Sequence, residues 1–297
     1  MSDRPGVDPV RRGWTCSRDA AAVDSSSTGP LDMRRLNTRS ASVARCFDAL
    51  LGGKDNYAVD RAVVDAALEV SPGLVTATVD HREWLMRVVR YLAQTVGIDQ
   101  FLDIGSGLPA PENTHQVAQR ANPDAVVVYV DHDPMVHSHG QALLADNDHT
   151  HFAFADLTRT AELLAMPAIA RNIDLSRPVA LLQGATLQHV SDGQRPHRVM
   201  AEYVDALAPG SYVAVSHLHR PEEPAHAETA ARLEKLMLAE LGTGWFRDRE
   251  EITALFDGTE ITEPGLTRAA DWWPDGPRLR SLVPAQNLLL CGVGRKP

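Results

Sequence analysis

Residues 101–109, FLDIGSGLP, decide how this chain is read. Phe101, Leu102 and Ile104 make a short apolar run broken only by Asp103, and the run ends in Gly105-Ser106-Gly107. Such a run predicts a buried strand that turns sharply at its end, because glycine adopts the backbone angles a tight turn demands and lets a ligand approach closely. Just upstream, Trp84, Leu85, Val88, Val89, Leu92 and Val96 recur at helical spacing, leaving Arg87, Arg90 and Gln94 on the other side. The spacing predicts a helix over 75–96 whose apolar face packs on a sheet, with Gly97 placed to stop it.

Downstream, strand-like and helical runs alternate. QFLDIG leads to a helix within 111–120, AVVVYVD to one at 134–145, HFAFAD to one near 161–169, and PVALLQG to one near 195–207 before SYVAVSHL. Five such β runs with helical connections predict a parallel sheet covered on both faces, with AVVVYV and PVALLQ apolar enough for central strands. After helices at 227–241 and 249–256, GTEITEPG and NLLLCGVGRKP follow with no helix-length segment between them, so the final strands are expected to run antiparallel to the rest. Between them DWWPDGP holds Trp272 and Trp273 in a loop that either packs on the core or borders a pocket. Towards the N-terminus, SASVARCFDALL and AVDRAVVDAALEV predict two more helices joined by GGKDNY. Residues 1–36, rich in Asp, Ser, Pro, Gly and Arg, read as a disordered leader, 37–96 as a helical cap, and 97–297 as the main α/β domain.

Bulk properties bound the function. A chain of 297 residues with 44% hydrophobic and 23% charged residues has an ordinary globular composition. No apolar run approaches the roughly 18 residues that span a bilayer, and the first residues lack the apolar core of a secretory signal. The three cysteines, Cys16, Cys46 and Cys291, are scattered without metal-ligand spacing, which reads as a cytoplasmic chain with reduced thiols. A formal charge of −10 argues against a general nucleic-acid binder. The arginine-dense stretches at 11–12 and 34–39 belong to a solvated tail.

The chemistry concentrates at three strand ends. Asp103 precedes the glycine turn, the next strand ends in Asp131, and the third in Asp156. A carboxylate at Asp131 is placed to accept from both hydroxyls of a ribose, and one at Asp156 to meet an adenine amino group. Alternatively, Asp131, His132 and Asp133 start a turn and cap the helix after Pro134, and Asp156 caps the helix in LTRTAELL. GSGLPA also satisfies G-x-G-x-x-G/A, with Ala110 last, so a nicotinamide or flavin enzyme is the rival. Pro109 and Pro111 count against it, because they delay the helix N-terminus that would receive a pyrophosphate, and the antiparallel ending does not favour a second mononucleotide-binding half. Among twelve histidines, the His217-x-His219 pair with His226, Glu222 and Glu223 suggests chelation, but no third ligand stands at fixed spacing and no metal is expected. Ser106 is out of register with the G-x-S-x-G nucleophile elbow.

The order FLDIGSG, VVYVDHD, FADL, PVALLQGATLQHV and PGSYVAVSHL resembles class I S-adenosylmethionine-dependent methyltransferases. With ARCFDALLGGKDNYAVDR, HREWLMRVVRYLAQTVGIDQFLDIGSGLP and the ending from EPGL through WWPD to GVGRKP, it resembles more closely one actinobacterial group of S-adenosyl methyltransferases over residues 37–297. The resemblance implies a Rossmann-like, seven-stranded, mostly parallel sheet with an antiparallel last strand, helices on both faces and an N-terminal helical cap. It implies S-adenosyl-L-methionine as cofactor and a small-molecule acceptor. Gly105, Ser106 and Gly107 would then lie against the methionine part of the cofactor, with Asp103 at its amino group, Asp131 at the ribose and His132 beside the adenine. Asp156 and Leu157 would contact the base, and Gln183 and Gly184 would border the sulfonium. Pro109 stands where the commoner E/D-x-G-x-G-x-G pattern has its third glycine. LGGKDNYAVD is either a lid over the cofactor or a helix end at Gly52 and Gly53 followed by a solvated turn, and Arg82 either pairs with the cofactor carboxylate or sits on a helix surface. His189, after the fourth strand, is the candidate general base and Tyr57 the second; His189 reads equally as a packed histidine at a helix entry. A cofactor-binding protein without transferase activity is the other alternative.

Overall fold

The structure is a computed structural model that describes residues 37–143, 147–278 and 281–297; the leader expected over 1–36 lies outside the described residues. Three helices come first: α1 (Val43–Leu50), α2 (Ala58–Val70) and α3 (Leu74–Tyr91). The last widens into a π-turn over Leu92–Val96 and ends at Gly97, which takes φ 84° and closes the helix where the sequence places its stop. Strands and helices then alternate: β1 (Gln100–Ile104), α4 (Thr114–Ala121), β2 (Val126–Asp131), α5 (Pro134–Leu143) and β3 (Thr150–Phe154). They continue as α6 (Thr160–Leu164), α7 (Pro167–Ala170), β4 (Ala180–Gly184), α8 (Pro196–Ala206) and β5 (Tyr212–Leu218). The chain ends with α9 (Pro224–Glu240), α10 (Arg249–Thr253), β6 (Glu260–Ile261) and β7 (Leu289–Arg295). The single helix expected near 161–169 is two, because Pro167 lacks the amide that would continue α6 and instead starts α7.

The seven strands lie in the order β3-β2-β1-β4-β5-β7-β6. Strands β1 to β5 pair in parallel, and β7 is antiparallel to both β5 and β6. Only β7 is therefore reversed. β6, expected to be antiparallel as well, runs with β1–β5, because α9 and α10 carry the chain back across the sheet before it. The order reverses direction between β1 and β4, which leaves a crevice beyond their C-terminal ends, the usual ligand position in such sheets.

Alternation along β1 and β4 feeds two apolar layers. Phe101 and Leu182 face α3 and α4, where they meet Trp84, Val88, Val89 and Val117. Leu102, Ile104 and Leu181 face the opposite side and pack against Val199, Met200 and Tyr203 of α8. Trp84 is fully buried, as the helical stripe predicts. Trp272 is equally buried beside Tyr91, and Arg87 anchors its loop by donating to the Ala269 carbonyl at 2.7 Å. The tryptophan loop therefore packs against the C-terminal part of α3, and Trp273 is exposed there.

Helices α1 and α2 are clasped by one buried carboxylate. Asp60 accepts from the Ser42 amide at 3.0 Å, the Tyr57 amide at 2.8 Å and Arg45 Nε at 2.8 Å. Ala67 and Val70 of α2 pack with Ala230 and Leu233 of α9.

Candidate functional site

The turn after β1 is built from two glycines with different duties. Gly105 (φ 70°) donates to the Val130 carbonyl at 2.7 Å, docking the turn on β2. A Cβ there would lie 2.0 Å from Thr186 Cγ2, so the loop after β4 by itself already requires glycine at 105. Gly107 (φ 69°) has nothing within 4 Å of such a Cβ and opens to free space. The Gly107 amide donates to Asp131 Oδ2 at 3.0 Å, and the Asp133 amide to Asp131 Oδ1 at 2.9 Å. Asp131 thus ties the ends of β1 and β2 together; burial pushes its carboxyl pKa up, against the pull of His132 and these two amides. Asp133 caps α5 through the Met135 amide at 2.8 Å, so the capping role belongs to it. His132 is exposed, its ring 3.8 Å from the Asp131 carboxylate.

Asp103 is buried beneath the turn and accepts from Thr114 Oγ1 at 2.6 Å. Burial pushes its pKa up to about 6, opposed by that hydrogen bond and by Arg82. Thr114 opens α4 behind Asn113, which caps the helix with Gln116, so the helix starts well beyond the glycines, as Pro109 and Pro111 require. Arg82 is half-buried and not on a bare helix surface: its guanidinium donates to the Glu112 carbonyl, and its Nε has no partner.

At the end of β4, Gln183 is fully buried; its Oε1 accepts from Thr186 at 2.6 Å and its Nε2 has no partner. Gly184 is approached by Leu85 and His81 of α3. The next residue, Ala185, takes φ 58°, and its amide donates to Ser216 Oγ at 2.8 Å, which in turn bonds His81 Nε2 at 2.8 Å. Burial lowers the His81 pKa to about 3, leaving the ring neutral. His189 sits in the 3-10 turn Leu187–His189; its pKa falls to about 4, chiefly through burial and secondarily through the charge of His132. Asp156 does not cap α6. One of its oxygens accepts from the Thr158 amide at 2.8 Å and hydroxyl at 2.7 Å, shaping the turn that leads into that helix. The Leu157 carbonyl accepts from Tyr203 at 2.8 Å.

The glycines of LGGKDNY close α1, as the helix-end reading has it: the Gly52 amide donates to Ala49 and the Gly53 amide to Asp48. The Asp48 carboxylate then holds the Asp55 amide at 2.9 Å and Asn56 Nδ2 at 2.8 Å, and Asp55 reaches His139 of α5 at 3.5 Å. On the other side, Phe47 of α1 packs edge-on against His81, ring centroids 5.7 Å apart. The segment 47–55 therefore reaches α3 on one side and α5 on the other. Tyr57 is half-buried, 5.3 Å below the Arg45 guanidinium.

The H-x-H imidazoles serve other bonds. His217 Nδ1 is 2.7 Å from the Leu218 carbonyl and its Nε2 is 2.7 Å from Arg247 Nη1, while His219 Nδ1 meets the Asn287 carbonyl at 3.0 Å. Among the described residues no group of three or more His, Cys, Asp or Glu is arranged to hold a metal ion. Sequence reasoning assigned nothing to Thr114, Thr186, Ser216 or His81. His81 alone carried a signal, since it shares the buried helical stripe of Trp84, Leu85 and Val88.

The sequence profile of the S-adenosyl methyltransferase family matches residues 31–297. The chain belongs to this family. It is similar to a crystallised methyltransferase candidate from Thermobifida fusca, with 45% identity and a TM-score of 0.82 over 86% of this chain and 95% of that one. A DUF574 family protein from Streptomyces avermitilis is 34% identical, with a TM-score of 0.84 over 89% of this chain and 100% of the other. No curated protein matches this sequence. Membership of the S-adenosyl methyltransferase family makes S-adenosylmethionine the cofactor and decides against the nicotinamide alternative. The residues present fit that group. Ser106 Oγ, Gln183 Nε2 and Arg82 Nε are buried without partners, and the buried Asp103 carboxylate lies beneath the same turn. Donors for a carboxylate and an acceptor for an ammonium are what an amino-acid moiety needs.

Proposed function

We propose that residues 97–297 hold S-adenosylmethionine across the C-terminal ends of β1 to β4, that residues 37–96 cap it, and that a small-molecule acceptor is methylated in the crevice between them. The observations that carry this reading are the buried, unpartnered polar atoms of Ser106 on the turn after β1, Gln183 at the end of β4 and Arg82 on α3, and the open space at Gly107. Asp103 would take the cofactor's ammonium, Gly105, Ser106 and Gly107 its methionine part, and Arg82 its carboxylate. Asp131 would hold the ribose, His132 would flank the adenine, and Asp156 and Leu157 would contact the base. Gln183 and Gly184 would border the reacting sulfur.

The bound cofactor supplies a methyl group on a positively charged sulfonium, so the protein has to orient the acceptor and take its proton. His189 suits that task because its ring is neutral at physiological pH. Its low basicity is no obstacle, since a freshly methylated oxygen that still carries its proton is a far stronger acid than an imidazolium. Tyr57, on the cap, is the second group that meets the acceptor. A cytoplasmic location accords with the free, buried Cys46 and Cys291; no single helix among the described residues is long and apolar enough to cross a membrane.

The test is to incubate the protein with methyl-labelled cofactor and size-fractionated actinobacterial extract. Label should appear in the low-mass fraction. Label confined to protein or nucleic acid would overturn the acceptor class, and no label across varied extracts would favour a binding protein without transferase activity.

A further inference from the structure

We propose that Arg247 and Thr243 are positioning residues, Arg247 holding the turn that carries His189 and Thr243 fixing its ring as the Nδ1–H tautomer, so that Nε2 keeps the lone pair. This rests on the reading of His189 as the proton acceptor. The turn that carries His189 exposes four successive carbonyls, and all four are bound by one extended segment, 243–247, between α9 and α10. Arg247 Nη1 donates to Leu187 at 3.2 Å, the Trp245 amide to Gln188 at 2.8 Å, Thr243 Oγ1 to His189 at 3.1 Å and Arg247 Nη2 to Val190 at 2.9 Å. The segment is itself pinned to the sheet by the Arg247 amide, which donates to the Leu218 carbonyl at 3.1 Å, and to α9 by the Phe246 amide, which donates to Glu234 at 2.8 Å. Arg247 is almost fully buried and reaches Asp192 at 2.8 Å.

The tautomer follows from counting hydrogens. Thr243 Oγ1 lies 3.1 Å from the His189 carbonyl and 3.3 Å from His189 Nδ1. A carbonyl only accepts, so the single hydroxyl hydrogen is committed to it, and the contact with Nδ1 forms only if the ring nitrogen donates. Nε2 then carries the lone pair. Without Thr243 nothing among the described residues distinguishes the two nitrogens of His189. The same segment reads a second imidazole in the same sense: His217 Nδ1 donates to the Leu218 carbonyl, and its Nε2 accepts from Arg247. A base on a short 3-10 turn is poorly held by its own backbone; four carbonyl bonds from one segment hold that backbone, and the Thr243 contact holds the ring.

The experiment is long-range proton–nitrogen correlation on the full chain labelled with 15N-histidine, with the His189 signals assigned by their loss in His189→Gln. At pH 7 the native protein should show a protonated Nδ1 and a bare Nε2. Thr243→Val should shift the ring towards the Nε2–H form, and Thr243→Ser should restore the native pattern. Arg247→Lys keeps the charge but cannot span Leu187 and Val190, so exchange of the His189 and Val190 amides should quicken by about tenfold or more, the effect of losing one charge-assisted bond. An Nε2–H tautomer in the native protein, or a Thr243→Val spectrum identical to it, overturns the assignment of Thr243; unchanged exchange overturns that of Arg247. The native spectrum decides the tautomer even if a variant fails to fold. Calorimetry of the native chain with S-adenosylmethionine runs alongside: absent binding would sink the proposed function and leave the tautomer standing, whereas binding with the wrong tautomer would sink the clamp alone.

Discussion

Replacing Asp103 with Asn should stabilise the protein and weaken its cofactor site at once. The carboxyl is buried, and its pKa rises from 3.8 to about 6, chiefly through desolvation. The folded chain therefore binds this proton more tightly than the unfolded chain does. That contribution to stability is complete below pH 3.8 and is lost as pH rises through 6. A shift of about two units corresponds to about 3 kcal/mol at pH 8, and to about half of that at pH 5, where the unfolded carboxyl is ionised and the folded one is not. Asparagine keeps an oxygen for Thr114 Oγ1 but never carries the charge. In urea unfolding, Asp103→Asn should exceed the native protein by about 2–3 kcal/mol at pH 8, the gap holding to about pH 7 and narrowing to about half by pH 5. Cofactor binding should move the other way. Native affinity for S-adenosylmethionine should fall as pH drops below about 6, while the variant should bind weakly and without that dependence. A stability gap that does not vary with pH, or a native protein more stable than the variant at pH 8, would refute the reasoning and show that Arg82 already neutralises the carboxylate.

The two glycines of the turn should respond differently. Gly105→Ala drives a Cβ to 2.0 Å from Thr186 Cγ2 on top of a left-handed φ, so it should lower stability by more than about 2 kcal/mol; adding Thr186→Ser should recover the clash component, and strictly additive losses in thermal unfolding would contradict the contact. Gly107→Ala meets no atom and should cost only about 1–2 kcal/mol of backbone strain, yet it should abolish cofactor binding, measured by calorimetry. Asp60→Ala leaves Arg45 buried without its partner and should cost about 3 kcal/mol. Hydrogen exchange should locate the loosening in α1 and α2; equal loosening in β1 and β4 would count against their capping role.

What the sequence disclosed depended on how far apart the interacting residues lie. Strands β1, β2 and β4 were legible because each is a local apolar run, and α3 because its stripe repeats from Trp84 to Val96, about three and a half turns. The two-residue β6 carries no periodicity, and its direction is set by the crossover through α9 and α10, which no local pattern encodes. At the site, Asp103 and Asp131 were legible from their places at strand ends. Gly105 was legible as a glycine but not for its reason, since Thr186 is 81 positions away. The clamp on His189 spans separations of 54 to 60 residues, so its threonine and arginine look like ordinary surface residues in the sequence. The tryptophans show the converse, for an aromatic pair beside prolines fits a pocket wall and a core plug equally well until Arg87 and Tyr91 are seen to hold Trp272.

The central claim is that the crevice beyond β1, β2 and β4 is an S-adenosylmethionine site organised by Asp131. It is tested most directly by titrating the native protein and Asp131→Ala with S-adenosylmethionine, S-adenosylhomocysteine and NAD in a calorimeter. The native chain should bind the first two and not NAD. Asp131→Ala should bind them at least about tenfold more weakly, the cost of one charge-assisted hydrogen bond. Binding of NAD alone, or undiminished affinity in Asp131→Ala, would contradict the account.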